Sequence, residues 1–227
     1  RSTIELHTPE PAPMPVAGPV LGRAVSDLLA DRGIGYFPGH PVEAYDGASQ
    51  RIRFMDGSAA DYDLLAAVPP HRPPAAVAGS GLAGPTGWIP VDRGTLETSS
   101  PDVFAIGDVT AIALANGKLL PKAGVFAHAE ALAVATQIAA RIEGGPAERF
   151  DGQGYCWVEL GGGVAGFAAG DFYATPDPAV VLRRPRRVWH MGKVLFERHW
   201  LGRGLAHGLT GVALRLGSAL LRVPARL

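Results

Sequence analysis

The stretch from Thr98 to Ile142 constrains this chain more than any other. A short apolar run at residues 103–106 ends in Gly107-Asp108, and a continuous Ala-rich run follows at residues 123–142. Read physically, a buried strand delivers a glycine and a carboxylate to its C-terminal end. A helix of about five turns comes after it. In open α/β sheets, ligands sit beyond the carboxyl ends of strands. Gly107 would let backbone approach a ligand, and Asp108 could accept a hydrogen bond from a hydroxyl. The same residues also read as a plain strand with an Asp in its turn. The long helix is apolar on nearly every side, the pattern of a buried helix, and Gly144-Gly145-Pro146 ends it.

Around this segment the pattern alternates between short strands and helices. Residues 3–6 read as a strand, residues 20–32 as a helix stopped by Gly33, and residues 34–37 as a second strand, the unit of a parallel sheet. Residues 42–45 and 51–55 flank a turn with Asp46-Gly47 and read as a hairpin, and residues 64–68 as a buried strand. Pro69-Pro70-His71-Arg72-Pro73-Pro74 suits neither helix nor central strand and marks a domain crossing. Residues 88–91 and 95–98 read as short strands, residues 155–160 and 164–168 as an antiparallel pair, and residues 188–200 and 205–222 as helices. The fold class is therefore α/β.

Charge is uneven along the 227 residues. From Val180 onward there are ten Lys and Arg against one acid, Glu197, a balance of +9 that the rest of the chain offsets with −9. Such a tail suits an anionic surface. Leu205, Leu209, Val212, Leu216 and Leu220 fall on one stripe of the last helix, with Arg203, His207, Arg215 and Arg222 off it, as on a helix lying at an anionic bilayer. Packing against its own domain or a second subunit is the other use for such a face. No run of eighteen uncharged apolar residues occurs, and residues 1–19 are polar and Pro-rich, unlike a signal peptide. No nucleic-acid module is recognisable. The seven histidines lack metal-site spacing, and His128, one turn into the long helix, reads as a satisfied structural residue. Cys156 is the only cysteine. It could be a nucleophile if its thiolate were favoured, or a small buried apolar residue.

Residues 98–109 resemble the second FAD-binding motif of the two-dinucleotide-domain flavoproteins, the glutathione-reductase-like group. The resemblance implies that Asp108, with Gly107, holds a hydroxyl of the flavin's ribityl chain. Leu120-Pro121-Lys122-Ala123-Gly124-Val125 opens the long helix. Helix N-termini favour electron-rich partners. In the family this start faces the flavin's pyrimidine edge, which implies roles for Ala123, the N–H groups near Gly124 and Val125, and the charge of Lys122. Residues 69–74, 80–82, 87–92, 152–161 and 193–201 are similar to segments of sulfide:quinone oxidoreductases, so the likeness spans most of residues 60–202.

That resemblance implies a partial two-dinucleotide-domain fold. Residues 1–68 would be the trailing part of an NAD(P)-binding-like domain and residues 69–150 the returning half of the FAD domain. Residues 151–202 would form a capping region, and residues 203–227 an amphipathic helix. No Gly-x-Gly-x-x-Gly sequence is read in the chain, and it opens on Arg1, so a fragment without the N-terminal half of its cofactor site is expected, inactive and weak in FAD binding by itself. The implied activity passes electrons from a small, sulfide-like reductant through FAD to a membrane quinone, peripherally at the bacterial inner membrane and as a possible homo-oligomer. Cys156 would carry sulfur, and Trp189, Phe196, Trp200 and Leu201 would line a quinone pocket or sit in the membrane interface. A single-subunit NADH:quinone oxidoreductase and a non-catalytic membrane- or partner-binding remnant are the alternatives.

Overall fold

The computed structural model describes residues 2–223. The chain forms two compact units that divide between Arg72 and Pro73.

In the first unit, β1 (Glu5–His7) and β2 (Gly35–Phe37) pair in parallel, joined by α1 (Pro19–Ala30). Pro19 opens α1 where a missing N–H costs nothing, and the helix buries Leu21. The strands β3 (Val42–Asp46), β4 (Arg51–Phe54) and β5 (Ala59–Asp61) form an antiparallel meander. Phe54 and Ile52 point inward from β4 and alternate with exposed arginines, the period-two pattern of a half-buried strand. The ring of Phe54 stacks on His7 and His40.

The meander differs from the expected one. Its third strand is the short β5, and residues 64–68, expected as a buried strand, are irregular with Leu64 89% and Val68 84% exposed. An apolar run becomes a strand only where a neighbouring strand offers its N–H and C=O groups. Within this unit, Ala59 and Ala60 hold that place beside β4.

The second unit carries α2 (Ala75–Ala78), then β6 (Ile89–Pro90) and β7 (Thr110–Ala111), which pair in parallel. Residues 95–98 and 103–106 do not form the expected strands. They fold on each other in a tight antiparallel turn with one bridge, Glu97 to Phe104. Leu96 and Asp102 take left-handed backbone there, which breaks any longer ladder. Leu96 and Ala105 are buried, while Val103 and Ile106 remain exposed.

The helix α3 (Gly124–Glu143) crosses behind this turn. It buries Phe126, Glu130, Ala133 and Val134 on one face, whereas Leu132, Ile138 and Ile142 are exposed. The expectation of burial on every side thus fails within this unit. Phe126 packs edge-on against Phe150 and Phe172, and Gly154 gives it room because any side chain there would overlap its ring. Each such buried ring contributes about 1.5–3 kcal/mol.

The strands β8 (Gln153–Glu159), β9 (Ala165–Asp171) and β10 (Ala179–Arg186) form one antiparallel sheet, ordered β10-β9-β8. The first two match the expected pair. The third has no counterpart among the expected strands, because its basic run is interrupted by Pro185. It lies at the sheet edge, where proline is tolerated, and the register shifts between Arg183 and Arg186. The helices α4 (Arg187–Leu201) and α5 (Gly204–Leu221) follow. At their elbow His199 Nδ1 donates to the His207 carbonyl at 3.0 Å, and His207 Nδ1 returns the bond to the His199 carbonyl at 2.9 Å.

Gly170 of β9 lies against the Ala179 carbonyl so closely that a Cβ would overlap it. Gly170→Ala should destabilise this unit by about 3 kcal/mol without changing the rest of the fold, measured by urea unfolding with circular dichroism.

Candidate functional site

The Gly107-Asp108 turn is one turn of 3-10 helix, Gly107–Val109, between the 95–106 hairpin and β7. Gly107 takes φ +71 and lies against α3, where a Cβ would stand 3.3 Å from that of Ala127. A side chain there would be strained in its backbone and crowded. The Asp108 side chain is on the surface.

Four polar bonds hold this turn. The Gly107 N–H donates to Glu130 Oε2 at 2.5 Å, and the Thr110 hydroxyl donates to the Gly107 carbonyl at 2.9 Å. The Lys122 ammonium donates to the Asp108 carbonyl and, at 3.1 Å, to that of Thr110. The same ammonium sits over the Trp88 ring, 3.7 Å from its centre. Desolvation lowers the Lys122 pKa, opposed by Asp108 and Glu130. Burial raises that of Glu130, opposed by the Gly107 N–H. Sequence reading finds Lys122 but assigns it to solvent or ligand, and it misses Glu130, whose place in an Ala-rich helix gives no sign that its carboxylate faces inward.

Beside this turn α3 begins without a side-chain cap at Ala123. The Phe126 and Ala127 N–H groups return to the Ala123 carbonyl, so Gly124 and Val125 carry the N–H groups that a helix start leaves outside its own ladder. Nothing lies within 4 Å of where a Gly124 Cβ would be. The helix start therefore presents open backbone and a positive dipole end.

Two cavities lie in this unit, and the smaller adjoins α3. One, of about 400 Å³, lies between α3 and β8, with Val125, His128, Ala129, Asp151, Gln153 and Tyr155 in its wall. His128 does not have the satisfied state expected of it: its Nε2 is buried without a hydrogen-bond partner, and its ring meets Trp200 edge-on. The other cavity, of about 560 Å³, is largely apolar. Tyr155, Trp157 and Phe167 of the sheet wall it, with Trp189 and Phe196 of α4 and Leu214 of α5. Trp189 and Phe196 thus line a cavity as expected. Trp200 and Leu201 are absent from its wall and largely exposed.

The chain matches the family model described as pyridine nucleotide-disulphide oxidoreductase over residues 3–133. It belongs to that family. Its fold matches a sulfide:quinone oxidoreductase from Aquifex aeolicus with a TM-score of 0.73 and 25% identity, covering 87% of this chain and 49% of that one. A ferredoxin reductase from Rhodopseudomonas palustris is similar at TM-score 0.51 and 25% identity, covering 74% and 40% of the two chains. An NAD-dependent persulfide reductase from A. fulgidus shares the fold at TM-score 0.52 and 22% identity, covering 74% and 30%. No curated protein matches. The chain thus spans about half the length of the Aquifex enzyme, and the sequence-derived likeness to sulfide:quinone oxidoreductases and the partial α/β flavoprotein fold both hold.

The Gly-x-Gly-x-x-Gly spacing does occur in this family member, at Gly79-Ser80-Gly81-Leu82-Ala83-Gly84. It is no phosphate cradle, because the four-residue α2 precedes it in place of a strand and loop follows it in place of a helix.

Cys156 lies on β8, opposite Ala168 of β9, with its residue surface exposed and its Sγ 3.4 Å from the Trp157 carbonyl. Desolvation of the thiol raises its pKa, against smaller opposing effects of that backbone contact and Lys193. A raised value means less thiolate at any given pH. Alkylation of this lone cysteine by iodoacetamide should therefore be slower than that of a free thiol at neutral pH and approach it only as pH rises beyond the usual thiol range. Mass spectrometry of timed samples measures this, and rapid neutral-pH labelling would contradict the described environment.

Proposed function

We propose that this chain supplies the ribityl- and pyrimidine-facing part of an FAD site in an oxidoreductase that passes electrons from a sulfide-like reductant to a quinone. The observation that carries the reading is the Gly107-Asp108 turn beside an uncapped, unobstructed helix start. Family membership and the similarity to the Aquifex sulfide:quinone oxidoreductase support it.

The residues fit a flavin in three respects. The Asp108 carboxylate is exposed and its backbone is pinned, so it could take a ribityl hydroxyl with little ordering cost. Gly124 leaves space at the helix start for a flat ring edge. The N–H groups of Gly124 and Val125, with the helix dipole, would stabilise negative charge at that edge, and Lys122, two residues before Gly124, adds a positive charge. When bound, the flavin supplies the two-electron chemistry, and the protein supplies binding, orientation and electrostatics.

The quinone reading rests on the larger cavity. Its aromatic wall of Tyr155, Trp157, Phe167 and Phe196 suits a flat apolar ring, and its volume falls within the range of small-molecule sites. We assign Cys156 no thiolate step at neutral pH, because its surroundings favour the thiol. As a sulfur carrier it would need an external base.

The membrane reading rests on α5. Leu205 (86% exposed), Leu209, Val212, Leu216 and Leu220 (85%) form an open apolar stripe. Arg203 and Arg215 flank it, and Arg186 and Arg187 are exposed at the start of α4. This helix also has the length and composition to cross a bilayer, but its arginines suit one lying along an anionic surface.

Asp108→Asn should weaken FAD binding by about tenfold while leaving the circular dichroism spectrum unchanged, the effect of losing one charge-assisted hydrogen bond. Flavin bands in the visible spectrum measure it, and bleaching by sulfide rather than NADH would identify the reductant. Flavin retained at wild-type affinity would defeat the assignment. Leu209→Asp with Leu216→Asp should abolish sedimentation with vesicles containing phosphatidylserine, and wild-type binding to them should fall as salt rises.

A further inference from the structure

We propose that Glu130 is a positioning residue for the flavin. Its ionised carboxylate holds the Gly107 N–H, sets the turn that presents Asp108, and so is required for tight cofactor binding. The inference rests on the flavin reading above and adds to it a charged group that never touches the cofactor.

Glu130 is 1% exposed and is the one charged residue among the largest fully buried side chains of the described chain. Its neighbours on the buried face of α3 are Phe126, Ala133 and Val134. A carboxylate in such surroundings costs several kcal/mol unless compensated, and an apolar residue of similar size would pack there at lower cost. Its bond to the Gly107 N–H bridges 23 residues of sequence. The other α3 side chain beside this turn is the apolar Ala127, whose Cβ lies 3.3 Å from where a Gly107 Cβ would stand.

The geometry divides the work. Glu130 grips the turn at the N–H of Gly107, Thr110 at its carbonyl, and Lys122 at the carbonyl of Asp108. All of these act on backbone, and none engages the Asp108 carboxylate. The turn is thus rigid while its one exposed carboxylate stays available.

Charge matters as well as shape. The ionisable groups whose fields act with Glu130 are Asp108, Lys122 and Tyr173. Lys122 favours the ionised form and Asp108 opposes it. A protonated Glu130 would keep a carbonyl oxygen for the Gly107 N–H but lose the charge that strengthens the bond, weakening the hold on the turn. Burial raises the Glu130 pKa, so this weakening would begin at a higher pH than for a solvated Glu.

The same shift has the opposite sign for folding. The folded state binds the proton more readily than the unfolded one, so Glu130 subtracts stability as pH rises from the unfolded value through the folded one. Removing its charge should therefore firm the fold and loosen the cofactor. A purely structural residue would not separate these effects.

The test uses the complete protein and its Glu130→Gln variant. The variant should bind FAD about tenfold more weakly by flavin fluorescence quenching, with a melting temperature equal to or above that of wild type at neutral pH. In ¹⁵N-labelled wild type, the Gly107 amide should follow a single titration above the ordinary Glu range that is absent from the variant. Equal FAD affinity in the two proteins, or a Gly107 amide insensitive to pH in wild type, would overturn the inference. Wild type that binds no FAD, with the Gly107 titration intact, would instead overturn the flavin reading on which the inference stands.

Discussion

The bond between a buried carboxylate of α3 and the N–H of Gly107 is the contact on which the candidate site turns. It fastens an irregular surface turn to the most regular element of its unit. Loops that carry binding residues need such anchoring, because an unsupported turn would lose its geometry to conformational entropy. Here the anchoring comes from three side chains acting on backbone, Glu130, Thr110 and Lys122, the last with its ammonium over the Trp88 ring.

The helix α3 serves the site in three ways at once. Its first residues offer free N–H groups, its next turn packs Phe126 into an aromatic cluster with Phe150 and Phe172, and Glu130 on the turn after reaches the Gly107 loop. Gly154 of β8 yields space to Phe126, so the sheet approaches the helix closely and leaves a cavity beside His128 and Tyr155. The aromatic residues of β8 and β9 then meet α4, where Trp189 is anchored through its indole N–H to the Arg184 carbonyl. Small residues at a few crossings thus decide where cavities form.

Residues 98–125 were legible as a candidate site because their chemistry is local. A glycine before an aspartate, and a glycine at the start of an apolar helix, carry their meaning in a few positions. The sheet of β8 and β9 was legible in the same way, from apolar runs around Gly161, Gly162 and Gly163. What failed was local in a misleading sense. Residues 64–68 have the composition of a buried strand, yet that run has no strand beside it in its unit. The basic run at Arg183 and Arg184 looks like a loop, yet it completes a sheet because β9 offers an open edge.

The amino-acid order alone determined the alternation of helices and strands, the concentration of positive charge after Val180, the apolar stripe of α5 and the candidate turn at Gly107-Asp108. These follow from periodicity, charge and backbone freedom, which need no distant partner. Only the tertiary structure decided that Glu130 is buried and hydrogen-bonded, that Lys122 is pinned to backbone over the Trp88 ring, that His128 Nε2 has no partner, and that desolvation raises the Cys156 pKa. The physical reason is common to all four. The state of a polar group depends on which donors, acceptors and apolar surfaces meet it across many residues of chain, and that is settled by packing.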